Sequence, residues 1–208
     1  MIRAVLLDAM GTLLELEPPA PRLAPLLPEP RSLPAIERAF AVEIAYYRAH
    51  MAEGRDRASV AALRERCARV LGEALGLGPL PAATLLQALR FRTFPDVAPT
   101  LRALRAAGLR LVVVSNWDAL LPDVLAGVGL LAAVDVVVTS GAVGVAKPDP
   151  AIFRAALEAA GVAPAHALHV GDSPQEDVAG AQSVGIRAVL LRRRAGDTLE
   201  RVRKLALS

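Results

Sequence analysis

The chain has 208 residues, 54% of them hydrophobic and 3% aromatic, with a formal net charge of +3. That length holds one sizeable core, or a core carrying a smaller inserted domain, and excludes two unrelated full-size domains. A single cysteine, Cys67, excludes an intrachain disulfide, and basic residues that cluster only at 192–194 and at Arg201, Arg203 and Lys204 argue against a nucleic-acid partner, which calls for concentrated charge interleaved with aromatics.

The first apolar run, residues 3–7, ends at Asp8, and no small-residue cleavage pattern follows it, so a secretory leader is not expected. No stretch reaches the roughly 18 apolar residues of a membrane span, because Asp135 breaks the best one. The expectation is a soluble, cytoplasmic protein with no membrane partner.

Residues 3–7 read as a strand, and so do 110–114, 135–138, 167–170 and 187–191. Each is rich in Val and Leu without clean alternation, as in strands covered on both faces. Between the later runs lie amphipathic helices closed by Gly108, Gly161 and Gly185, where a helix C-terminus favours a left-handed residue. Strand, helix, glycine, strand is the pattern of a doubly wound parallel α/β sheet. The segment 15–94 departs from it. After a proline-rich connection it reads as helices alone, over 33–51, 59–75 and 81–89, with no strand. The predicted organisation is therefore an α/β core of residues 1–14 and 95–208 with an all-helical cap domain, 15–94, inserted after the first strand.

In an open parallel sheet, ligands bind beyond the carboxyl ends of the strands. The polar residues there are Asp8 with Gly11 and Thr12, Ser115 with Asn116, and Gly171-Asp172-Ser173, with Lys147 in the loop after the third core strand. Carboxylates, a hydroxyl and a lysine in one crevice suit phosphoryl transfer, which needs positioning and charge neutralisation. Lys147 carries particular weight because the chain has 22 Arg and only one other lysine, Lys204; a compact point charge is demanded at that place. Asp96, Asp118 and Asp149 read as turn or helix-cap residues. His169 reads as a satisfied core residue, His166 and His50 as surface, and Cys67 as an inert structural thiol.

The segments Asp8-Ala9-Met10-Gly11-Thr12-Leu13, Ser115-Asn116, Lys147-Pro148-Asp149 and Gly171-Asp172-Ser173-Pro174-Gln175-Glu176-Asp177 resemble, in order and approximate spacing, the four motifs of the haloacid dehalogenase-like hydrolases, over essentially the whole chain. The insertion is similar to that superfamily's helical cap type, on a Rossmann-like core. The resemblance implies a Mg²⁺-dependent phosphatase with Asp8 as nucleophile and a small phosphorylated molecule as substrate. It implies Mg²⁺ ligation by Asp8, the Met10 backbone carbonyl and Asp172, with Asp177, and Glu176 beside it, behind the metal's waters. It also implies phosphoryl binding by Ser115 and Lys147 with help from Gly11 and Thr12, and a substrate pocket shaped by Asn116 and Trp117. One position departs from the family. Its phosphatases carry an aspartate two residues after the nucleophile as general acid and base, and this chain has Met10. A substitute acid, Asp118, His50 or water, or a leaving group that needs little protonation, would then be required. A slow or non-catalytic phosphate-binding protein and a metal-independent 2-haloacid dehalogenase are the alternatives; the carboxylates from Asp172 to Asp177 weigh against the latter. Oligomeric state is not legible from the sequence.

Overall fold

The computed structural model describes residues 1–207. Five strands, β1 (Ala4–Leu7), β4 (Arg110–Ser115), β5 (Val136–Thr139), β6 (Ala167–Gly171) and β7 (Arg187–Leu190), form a wholly parallel sheet in the order β5-β4-β1-β6-β7. The chain winds outward from β1 to β4 and β5, then crosses back to β6 and β7. β1 is therefore central, and the direction of winding reverses beside it, the place where such sheets bind ligands. All four residues of β1 are buried, which explains an unbroken apolar run in place of alternation.

The two faces of the sheet are covered separately. Val5, Leu7, Leu111 and Val113 pack with Val97, Leu101 and Leu104 of α5 (Val97–Ala106), Leu125 of α6 (Leu121–Gly127) and Val202 of α10 (Glu200–Leu207). Ala4, Leu6, Val112 and Val114 pack with Ile152, Phe153 and Ala156 of α8 (Pro150–Ala160) and Ala181 of α9 (Gly180–Ser183). A short helix, α7 (Ser140–Val143), follows β5. Gly108, Gly161 and Gly185 all take left-handed φ where the preceding helix must stop.

The insertion has an apolar core of its own. Four helices, α1 (Ala20–Leu23), α2 (Leu33–His50), α3 (Arg57–Ala74) and α4 (Ala82–Ala88), bury Leu23, Ile36, Phe40, Leu63, Cys67, Leu71 and Leu85 together. α3 begins at a reciprocal cap, Asp56 accepting from the Ser59 amide while the Ser59 hydroxyl accepts from the Asp56 amide. Two findings correct the sequence reading. The proline-rich connection contains a helix, α1. The insertion is not free of strand either: β2 (Leu14–Leu16) and β3 (Phe91–Thr93) pair antiparallel, with Leu14 opposite Thr93, and form a two-stranded stem where the chain leaves and re-enters the core. Among the described residues, no helix is long and apolar enough to cross a membrane.

Candidate active site

The parallel register brings the strand ends to one level. Leu7 of β1 lies opposite Val113 of β4 and Val170 of β6, so Asp8, Ser115 and Asp172 emerge together. The Asp8 amide donates to the Val170 carbonyl at 2.9 Å, which holds the backbone in sheet geometry up to the carboxylate.

Asp8 is buried, and its Oδ1 accepts from Lys147 Nζ at 2.7 Å and from Ser115 Oγ at 3.3 Å. The two donors fix the carboxylate plane and leave Oδ2 free of both. Burial pushes the Asp8 carboxyl up to about 6; Lys147 pulls against it, and the Asp177 and Asp172 carboxylates add to the rise. Lys147 is only 4% exposed and also donates to Asp177 Oδ1 at 2.6 Å. Its burial disfavours the ammonium, but the carboxylates on either side outweigh that and raise its pKa. Asp177 is the most heavily bonded group of the set. Its Oδ1 also contacts His169 Nε2 at 3.0 Å, and its Oδ2 accepts from the Ser173 amide at 3.0 Å. Burial raises its pKa, but the bonds from His169 and Lys147 win and hold it well below the usual carboxylate range.

Asp8, Asp172 and Asp177 each offer a carboxylate oxygen within 4.8 Å of the others. Burial and the neighbouring Asp177 raise the Asp172 carboxyl. Three hard oxygen donors crowded together, with one lysine to balance them, suit a hard divalent cation. Asp177 is the least available of the three because three donors already occupy its oxygens, which leaves Asp8 and Asp172 as the better ligands. Gly11 has φ +77°, and a Cβ there would run into the Asp172 carboxylate, so glycine is required for the two loops to approach.

The other residues singled out in the sequence fall at several distances from this centre. Asn116 lines the cavity; its Oδ1 accepts from the Lys147 amide at 2.6 Å and its Nδ2 donates to the Lys147 carbonyl at 3.0 Å and to Glu176 Oε2 at 3.1 Å. It positions Lys147. Thr12 is fully buried and does not line the cavity in front of Asp8; its carbonyl accepts from Arg193 at 2.7 Å and its hydroxyl has no partner. Trp117 lines that cavity and packs on Phe91 of the stem, ring centroids 5.3 Å apart. Asp149 caps α8 through the Ala151 amide at 2.8 Å. Asp96 stands at the N-cap position of α5 but makes no side-chain cap bond; its carboxylate binds Arg193 and the Leu199 amide. His169 is buried but only half satisfied, since Nδ1 has no partner.

Both side chains considered as substitute acids have partners of their own. Both Asp118 oxygens are engaged, Oδ2 by the Tyr47 hydroxyl at 3.0 Å and Oδ1 by the Leu120 amide at 2.8 Å. His50 is stacked on Tyr46, with Nδ1 2.7 Å from the Tyr46 carbonyl, and does not line the cavity.

The cavity has a volume of about 680 Å³ and is bounded on one side by Asp8, Ser115, Asp172 and Trp117 and on the other by α2, α3 and α4 of the insertion. Arg48 of α2 pairs with Glu176 at 2.6 Å, and Tyr47 with Asp118, so the insertion is tied to the core at the cavity's edge. Among the residues in this space that sequence reasoning passed over is Glu43. It falls on the helical stripe of Ile36, Ala39 and Phe40, all buried on α2, and that spacing is the signal that could have found it.

The site thus places a buried, lysine-bonded aspartate at the switch point of a parallel α/β sheet, facing the cavity. The sequence profile of the haloacid dehalogenase-like hydrolases matches residues 2–185, and the chain belongs to that family. It is 42% identical over 135 residues to a phosphoserine phosphatase of Thermus thermophilus, a match covering 61% of this chain and 53% of that protein. It spans about half or less of the length of the curated relatives it matches. Among solved structures, a phosphatase of this family from Thermococcus onnurineus superposes with a TM-score of 0.69 at 30% identity, covering 98% of this chain and 97% of that one. The L-2-haloacid dehalogenase RSc1362 superposes with 0.72 at 25% identity, covering 100% and 99%.

Proposed function

We propose that the chain is a Mg²⁺-dependent phosphatase acting on a small phosphorylated molecule through an aspartyl-phosphate on Asp8. The observation that carries this reading is the carboxylate cluster of Asp8, Asp172 and Asp177 around a single buried lysine. A dehalogenase that works without metal has no use for a second exposed-edge carboxylate such as Asp172 beside its nucleophile. Asp8 and Asp172, with the Met10 carbonyl, would hold the metal. When bound, Mg²⁺ supplies positive charge to the phosphoryl oxygens.

In this reading Lys147 and Ser115 orient the Asp8 carboxylate and neutralise phosphoryl oxygens as they approach. Asn116 holds Lys147 in register, and Asp177 with His169 fixes the far side of its ammonium. Asp8 attacks phosphorus, an O–P bond forms, and the ester oxygen departs with the electron pair. Water then attacks the same phosphorus, releasing phosphate and restoring Asp8. Met10 lines the cavity and has no proton to give, so leaving groups of low basicity are favoured. The insertion, residues 15–94, serves as the cap that closes over the site.

The test is a screen of phosphorylated small molecules, including an aryl phosphate, with and without Mg²⁺, run beside 2-chloropropionate with chloride release as the readout. Mg²⁺-dependent phosphate release supports the reading. Chloride release that ignores Mg²⁺, with no phosphate release, transfers the site to the dehalogenase reading.

A further inference from the structure

The insertion's side of the cavity carries apolar side chains, Ile44, Leu85, Leu86 and Leu89, joined by Leu16 and Phe91 of the stem, together with three arginines, Arg48, Arg64 and Arg90. Within that wall stands Glu43, a carboxylic acid only 5% exposed, on the buried stripe of α2. Among the described residues Glu43 forms no ion pair. Its one side-chain partner is the Cys67 thiol, a weak donor. Burial pushes its carboxyl up to about 7. Asp8 and Asp177 each accept from donors of full strength, and Glu43 does not. A buried carboxyl without a strong donor is costly, and its persistence in a cavity wall needs an explanation.

We infer that Glu43 receives a cationic nitrogen of the substrate, so that the preferred phosphate ester has a leaving group with an apolar middle and a primary ammonium at its end. This deepens the phosphatase reading and rests on it. The phosphoryl end would lie at Asp8, the carbon chain along the leucine wall, and the ammonium at Glu43. An ammonium would give the buried carboxylate a charge-assisted bond that the thiol cannot. Arg48, Arg64 and Arg90 also line the cavity from the insertion but have the wrong sign to bind that nitrogen, and Glu43 is the one carboxyl the insertion contributes to the lining. An equally long alkyl chain fills the same apolar space but leaves Glu43 as it was.

The experiment is calorimetric and needs no turnover. Short ω-aminoalkylphosphonates and the alkylphosphonates in which methyl replaces the ammonium are titrated into the full chain with Mg²⁺, for the wild type and Glu43→Gln. The wild type should bind the amino ligand tighter by about tenfold to a hundredfold, and Glu43→Gln should bring the two ligands to parity while keeping the alkylphosphonate affinity. Equal binding of both ligands by the wild type overturns the inference and leaves the phosphatase reading standing; that comparison stands even if Glu43→Gln does not fold. A preference that survives in Glu43→Gln overturns the assignment to Glu43. Failure of the wild type to bind either phosphonate overturns the phosphoryl site and the inference together.

Discussion

The core wall of the cavity holds a hydrogen-bonded chain, His169 to Asp177 to Lys147 to Asp8, in which both carboxylates accept from Lys147. The helical wall, a few side chains away across the same space, is leucine-rich and carries Glu43 with only a thiol beside it. Strand ends in register can present several polar groups to one point because the backbone is fixed by the sheet on both sides. Helices that pack by an apolar stripe can present a polar group only by interrupting that stripe. The core wall is therefore suited to chemistry, which needs preorganised charge, and the helical wall to selecting what the chemistry acts on.

The comparison breaks first at Asp8. Asp8→Asn keeps the shape but not the nucleophile, and hydrolysis of an aryl phosphate should fall by roughly 10⁴- to 10⁶-fold, read as kcat with folding checked by circular dichroism. A loss of only a few fold would place the chemistry elsewhere. The next effect is expected at Met10, which lies between the walls. Supplying an acid with Met10→Asp should raise kcat/KM for alkyl phosphates by up to roughly 10²- to 10⁴-fold and for aryl phosphates much less. An unchanged alkyl-to-aryl ratio would show that position 10 does not face the leaving group.

Asp172 tests the metal half of the core wall without turnover. Mg²⁺ at about 100 times its Kd should stabilise the wild type by about 2.7 kcal/mol, seen as a rise in Tm, and Asp172→Ala should abolish the rise. A rise of equal size in the mutant would move the ion away from Asp172. The smallest effect belongs to the helical wall. Glu43 titrates at about 7 in the fold against 4.5 as an ordinary glutamate, so between those values the unfolded chain loses the proton first. Its contribution to stability therefore falls as pH rises from about 4.5 to about 7, by about 2 kcal/mol once residual solvent contact is allowed for. Chemical denaturation of Glu43→Gln beside the wild type over that range should show the mutant gaining on it; parallel curves would mean Glu43 is ionised throughout.

How much of this was legible in the sequence differs between the walls in the same way. The parallel strands, their closing glycines and the residues past each strand end could be read because buried strands are local apolar runs with polar ends. The stem could not, since Leu14–Leu16 and Phe91–Thr93 are too short to show a period and pair across the whole insertion. The bonds that tie Lys147 and His169 to Asp177 join separate loops and elements, and nothing local reveals that Asn116, which lines the cavity, also uses its amide on the Lys147 backbone. Nor could the sequence show that Arg193, far along the chain, donates to the Thr12 carbonyl.

The central claim, that Asp8 carries the phosphoryl group, is tested most directly by acid-quenching the wild type during turnover of an aryl phosphate with Mg²⁺ and mapping the modified peptide by mass spectrometry. With Met10 unable to help water in the second step, the account predicts an accumulating phosphoryl group on the peptide that contains Asp8, absent from Asp8→Asn. Steady phosphate release from a wild type that never carries phosphorus on that peptide, or a phosphoryl group mapped to another residue, would contradict it.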